Sequence, residues 1–96
     1  MRWIWDARKN HSNRRKHGLS FETAILVFDD PLAASRPDGG HGEERWQTVG
    51  QIGGVIVLVA HTWPEPGEDG SEEFGRIISA RKATAHERKA YEEGKF

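Results

Sequence analysis

The sequence predicts a small α+β domain in which an antiparallel sheet carries two N-terminal helices and one C-terminal helix. Two observations predict this class. Apolar, mostly β-branched residues typical of a buried strand fill residues 55–60, and the pair Ile77-Ile78 gives residues 74–80 a similar character. Helix-capping residues precede three other segments, and hairpin-length links join the strands, which favours antiparallel pairing with the helices set against the sheet. A chain of 96 residues has room for one modest core, so we expect a single domain over residues 1–96.

The N-terminal third is predicted to form a strand followed by two helices. Residues 3–5 can form a short strand, and Asp6 is a typical N-cap for a helix over residues 7–17. This first helix is polar on every side, so packing stabilises it little. It is either a solvated cover or a surface for a partner, and we favour the partner. Ser20 caps a second helix over residues 21–29, whose apolar residues face the core.

The remainder of the chain is predicted to supply most of the sheet. Strands are expected over residues 32–36, 44–49, 55–60 and 74–80, with a glycine-rich turn over residues 50–54. The run 55–60 is apolar throughout, which indicates the central strand. A loop rich in proline and glycine is expected over residues 63–71. Thr84 and Glu87 have the spacing of a capping box, which predicts a last helix over residues 85–93.

The charge is unevenly distributed, although the net charge is only -1. Residues 1–20 and 76–96 are rich in Lys and Arg, whereas residues 21–75 hold most of the acids. If the two basic ends meet in the fold, they form a basic face, which favours nucleic acid. The acidic middle would favour a basic protein partner. A surface that only solubilises the protein is the alternative.

The composition excludes several classes of protein. The chain has no cysteine, so disulfides and thiolate metal sites are excluded. No apolar run approaches the ~20 residues that span a bilayer, and the N-terminus lacks the apolar core of a signal peptide. We therefore expect a cytoplasmic protein without membrane association. The histidines are not spaced as a metal-binding set, so we expect no metal and no other cofactor.

A set of short motifs runs through nearly the whole chain. The motifs are Trp5-Asp6, Lys9-Asn10, Lys16-His17-Gly18, Ser20-Phe21-Glu22, Phe28-Asp29-Asp30-Pro31, Glu44-Arg45-Trp46, the run 76–84 and Tyr91-Glu92-Glu93. In order and spacing they resemble the BrnT family of bacterial type II toxins. The resemblance implies a RelE-like fold, cleavage of RNA that halts translation, and neutralisation by a BrnA-like ribbon-helix-helix antitoxin. It also implies that operator DNA is bound only by the toxin–antitoxin complex.

A ribonuclease that works without metal needs a base for the 2′-hydroxyl, a cation for the phosphate and an acid for the leaving oxygen. Arg81 and Arg76 are the candidates for the phosphate, because Arg can donate two parallel hydrogen bonds to it. His61 and Glu44 are the candidates for acid or base. Each candidate also has a structural interpretation. His61 can bond to a carbonyl at the strand end, and Glu44 can pair at the surface with Arg45 or a Lys. Arg76 and Arg81 can be solvated residues at a strand end.

The remaining candidates are cations for contact with RNA or the antitoxin. They are Lys9, Arg15, Lys16, His17 and Lys82. A phosphate-binding surface serves an enzyme and a binding protein equally. A non-enzymatic module that binds RNA or docks a partner is therefore the alternative to a ribonuclease.

Overall fold

A five-stranded sheet organises the computed structural model, which describes residues 2–39, 44–63 and 73–96. The strands are β1 (Arg2–Ile4), β2 (Ala34–Pro37), β3 (Trp46–Ile52), β4 (Val55–His61) and β5 (Phe74–Lys82). The helices are α1 (Ala7–His17), α2 (Phe21–Ala24), which a 3₁₀ helix continues (Ile25–Asp29), and α3 (Ala85–Glu92). The α+β class is confirmed. The strand order β1-β5-β4-β3-β2 places β4 in the middle, as its apolar run predicted.

The sheet is mixed, so the prediction of an antiparallel sheet is wrong. The strands β2 to β5 pair antiparallel, but β1 pairs parallel with β5, with Trp3 beside Gly75. The antiparallel pairing of β5 with β4 leaves the other edge of β5 open for β1. A glycine is needed there because a Cβ at Gly75 would lie 2.5 Å from the Trp3 ring. Nothing in the local sequence of β1 indicated which strand it joins.

The main core lies between one face of the sheet and the segment formed by α2 and the 3₁₀ helix. Its fully buried side chains are Phe21, Ala24, Val27, Val57, Val59, Ile77 and Ala80. Gly50 was predicted in a turn but lies inside β3, where it pairs with Val57. A glycine is needed at this position because a Cβ would come within 2.9 Å of the Val27 carbonyl oxygen. The turn is shorter than predicted and consists of Gly53, whose φ of 59° suits glycine, and Gly54.

A turn delays the start of β2 by two residues relative to the predicted strand. The Asp30 carboxylate accepts a hydrogen bond from the Leu32 N–H (2.9 Å), and the Asp30 carbonyl accepts one from the Ala33 N–H (3.0 Å). Leu32 is consequently 72% exposed. Of the predicted loop over residues 63–71, all but Trp63 lies outside the described residues. No helix in the described ranges has the length and apolarity to cross a membrane.

Helix α1 lies along the part of the β5 edge that β1 leaves open, and polar contacts hold it there. The Asn13 side chain accepts a hydrogen bond from the Ala80 N–H (3.1 Å) and donates one to the Ala80 carbonyl (2.8 Å), as a neighbouring strand would. Asn10 accepts one from the Phe21 N–H (2.8 Å) at the start of α2. These buried bonds explain how a helix without an apolar face is fixed to the domain.

Candidate functional site

A groove of ≈ 510 Å³ runs between α1 and the edge of β5. Its lining residues are Arg8, Lys9, Ser12, Asn13, Lys16, His17, Arg45, Ile78 and Ser79. Four of them carry a permanent positive charge, and among the described residues no carboxylate lines it. We call it the basic groove. Concentrated positive charge of this kind attracts the phosphates of a nucleic acid.

The α1 side of the basic groove follows from helical spacing. Lys9, Asn13 and Lys16 are three or four residues apart, so they lie on one side of the helix. Because Asn13 is bonded to Ala80, this side of α1 is fixed against the sheet. The two lysines therefore project from a rigid support rather than from a loop, which suits a site that must hold a ligand in one position.

Arg45 brings a cation to the basic groove from the sheet. It immediately precedes β3, and its carbonyl accepts a hydrogen bond from the Asp38 N–H (2.8 Å), which fixes its backbone. The Nε atom of Arg45 is buried and has no hydrogen-bond partner among the described residues. Leaving a buried donor without an acceptor costs about 1–3 kcal/mol. A phosphate oxygen is an acceptor that a guanidinium binds strongly.

His61 is a candidate acid or base from the sequence, and the structure buries it completely (0% exposed). The Thr62 carbonyl accepts a hydrogen bond from His61 Nδ1 (2.8 Å), so Nε2 is left to accept one from the Thr48 hydroxyl (2.6 Å). The rings of Trp3 and Phe28 pack edge-on against the imidazole. Burial lowers the pKa of His61, which keeps it neutral. These contacts occupy both nitrogens and match the structural interpretation.

Arg81, the main phosphate candidate from the sequence, is engaged by Glu87. Its two terminal nitrogens donate to the two carboxylate oxygens of Glu87 at 2.7 and 3.0 Å. Glu87 also forms the capping box with Thr84 at the start of α3. The hydrogen bonds from Arg81, helped by the Thr84 N–H, lower the pKa of Glu87 to about 2. In this structure the Arg81 guanidinium, which would otherwise bind a phosphate, instead attaches α3 to the sheet through Glu87.

The other candidates from the sequence differ in whether they line the basic groove. Lys9, Lys16 and His17 line it. Arg15 lies just outside, against Ser12 and Lys16. Arg76 is on β5, two residues before Ile78, and Glu44 is an exposed neighbour of Arg45. Lys82 lines a separate apolar pocket.

Sequence reasoning missed Arg8 and Arg45. For Arg8 the signal was present, since it is four residues from Ser12 and belongs to the helix face that lines the groove. Arg45 was interpreted only as a pairing partner for Glu44. In the described parts of the chain, no three His, Asp or Glu side chains are grouped to hold a metal ion.

Comparison with known proteins assigns the chain to a family. No curated protein matches it. A family model described as "Ribonuclease toxin, BrnT, of type II toxin-antitoxin system" matches residues 5–87, which is most of the chain. Both α1 and β5, whose side chains form the basic groove, lie within the matched range. The chain therefore belongs to the BrnT family of ribonuclease toxins, which act in type II toxin-antitoxin systems.

Proposed function

We propose that this toxin cleaves RNA in the basic groove and needs no metal ion. The main support is that four permanently charged cations and no carboxylate line the groove among the described residues. One of these cations is Arg45, whose buried Nε has no hydrogen-bond partner there. The positive charges of this lining repel a divalent cation, and the lining lacks the carboxylates through which proteins bind Mg²⁺. It can instead neutralise the charge that develops on a phosphate during cleavage.

The reaction we propose uses the RNA's own 2′-hydroxyl as nucleophile. A base removes the 2′-proton, the 2′-oxygen bonds to phosphorus, and the bond to the 5′-oxygen breaks as that oxygen takes up a proton. The products are a cyclic phosphate and a 5′-hydroxyl. Arg45, Lys9 and Lys16 stabilise the charged phosphate. Proton transfer is assigned to His17, which lines the groove, and to Glu44, an exposed residue outside the lining that immediately precedes Arg45 in the chain.

Purified toxin should cleave single-stranded RNA in buffer containing EDTA at the rate seen without chelator. The reason is that the proposed site stabilises the phosphate with side-chain cations alone. Gel analysis of a labelled RNA measures the rate, and the ends of the fragments report the cyclic phosphate. Loss of cleavage in EDTA with recovery on adding Mg²⁺ or Mn²⁺ would contradict the mechanism.

We propose further that the antitoxin is a ribbon-helix-helix protein and that a segment of it covers the exposed side of α1. Type II membership implies an antitoxin partner. The last turn of α1 is basic at Arg14, Arg15, Lys16 and His17, which suits an acidic segment that becomes ordered on binding. The complex, rather than the toxin alone, would bind operator DNA. We place these steps in the cytoplasm and the chain in the RelE-like fold, which its α+β arrangement supports.

Reversing the charge of Arg15 and Lys16 to Glu should weaken the antitoxin complex, most strongly at low ionic strength where charges are least screened. Isothermal titration at several salt concentrations measures the effect. The matched control is charge reversal of Arg88 and Lys89, which are exposed on α3. Equal affinities for the Arg15/Lys16 variant and the wild type at low salt would place the interface elsewhere.

A further inference from the structure

A second cavity, of ≈ 210 Å³, lies at the C-terminal end of α1 next to the β3–β4 hairpin. Its aliphatic wall is formed by Leu19, Ile52, Val55 and Val57. The rest of its lining consists of His17, Gly18, Thr23 and Lys82. Val57 is buried, whereas Val55 is 40% exposed. We call this cavity the anchor pocket. Apolar side chains that together line an open cavity can mark a ligand-binding groove or an interaction site.

The anchor pocket adjoins the basic groove, because His17 lines both. A segment seated in the pocket can therefore continue over the last turn of α1, where Arg15 and Lys16 lie. Among the described residues no carboxylate lines the pocket or the groove, and Lys82 adds a further cation. The complementary ligand combines one large apolar side chain with neighbouring negative charges.

We propose that the anchor pocket receives a large apolar side chain, such as Leu or Phe, from an acidic segment of the antitoxin. The proposal rests on the proposed function in placing the antitoxin over α1. The size is adequate, since a dry cavity of about 150 Å³ can hold a benzene ring. Buried apolar anchors in pockets carry much of the energy of protein interfaces. RNA suits the pocket less well, because half of its lining is aliphatic and a base placed there would lie mainly against Leu, Ile and Val side chains.

The test compares Val55→Asp with wild type in binding to the cognate antitoxin and to overlapping peptides that tile it. We expect Val55→Asp to weaken antitoxin binding about 10-fold or more, because it places a carboxylate beside an apolar anchor and an acidic segment. Val55→Ser should weaken it less, and Lys82→Glu should weaken it through charge. Leu32→Asp is the control, since Leu32 is an exposed leucine outside the pocket. Circular dichroism checks the fold, and Val55→Ser carries the test if Val55→Asp unfolds.

RNA cleavage by the free toxin separates this proposal from the proposed function. Val55→Ser, which adds no charge beside His17, should cleave RNA at the wild-type rate and be inhibited less by the antitoxin. Wild-type antitoxin affinity in Val55→Asp and Lys82→Glu would overturn the proposal. Loss of RNA binding in Val55→Asp with antitoxin binding intact would also overturn it, because the pocket would then belong to the RNA path. A wild-type toxin without cleavage would refute the proposed function while the antitoxin affinities still test the pocket.

Discussion

Replacing Arg45 with Met should lower the rate of RNA cleavage about 100-fold, because removal of one preorganised charge at a reacting group commonly has an effect of this size. The same substitution should leave the free energy of unfolding unchanged or raise it by about 1 kcal/mol. This second expectation follows from Nε, a buried donor without a partner among the described residues, whose desolvation cost disappears with the guanidinium. Met keeps an unbranched apolar stem in its place.

The combination of lost activity and retained stability is what distinguishes a functional cation from a structural one. Single-turnover cleavage of a labelled RNA and urea unfolding measure the two quantities. Arg88→Met is the matched control, because Arg88 is exposed on α3 and does not line the groove. Arg45→Lys should recover part of the activity, since an ammonium supplies the charge without the fork. Normal cleavage by Arg45→Met would remove Arg45 from the mechanism.

Local sequence signals predicted the boundaries of α1, whereas the second predicted helix, residues 21–29, is α-helical only over Phe21–Ala24 and continues as a 3₁₀ helix over Ile25–Asp29. Asp6 and Gly18 delimit α1 because their effects act within the helix's own first and last turns: Asp6 accepts hydrogen bonds from Arg8 and Lys9, and Gly18 adopts a φ of 69°. Contacts distant in sequence were not predictable in this way. The partner of Asn13 is Ala80, 67 residues away. The local sequence therefore could not show whether the Asn13 side chain is buried against the sheet or exposed to solvent.

For the candidate site, the sequence predicted the residues that α1 supplies but not the contribution of Arg45 or the pairing of Arg81. The sequence pointed to Lys9, Lys16 and His17 because a polar helix with clustered cations is itself unusual. It missed Arg45 because a Glu-Arg pair at a strand start is typical of an ordinary surface. It could not reveal that Arg81 is committed to Glu87. The capping box accounts for Glu87 without any need for a second partner, so nothing in the local pattern indicated one.

Replacing Arg81 with Ala should destabilise the fold by about 2 kcal/mol, because Glu87 is only 8% exposed and would lose its bidentate partner. That figure allows for solvent screening of the partly exposed guanidinium. The sequence alone places Arg81 at the end of a strand, and truncating a surface residue there costs within about half a kcal/mol if no buried partner is lost. The structure supplies the buried partner. Urea unfolding is the appropriate measurement, because guanidinium chloride would screen the pair.

The pair also predicts a pH dependence. The pKa of Glu87 is lowered from 4.5 to about 2, so the folded state favours its ionised form. The corresponding stabilisation is fully present above about pH 4.5 and is lost as the pH falls through about 2. The difference in free energy of unfolding between wild type and Arg81→Ala should therefore become smaller as the pH is lowered through this window. A difference that stayed constant from neutral pH down to pH 2 would mean that the contribution of Arg81 does not depend on the ionised form of Glu87.

Comparing Arg81→Ala with Glu87→Gln decides between the structural and the phosphate-binding role of Arg81. Both variants break the ion pair, so a structural role predicts similar losses of stability and normal cleavage at a temperature where both are folded. A phosphate-binding role predicts a contrast, because Glu87→Gln releases the guanidinium fork whereas Arg81→Ala removes it. We expect the first result, since the structure directs both terminal nitrogens of Arg81 to Glu87. Normal cleavage by Glu87→Gln beside a loss of about 100-fold in Arg81→Ala would instead restore Arg81 to the reaction, with Glu87 as the residue that RNA must displace.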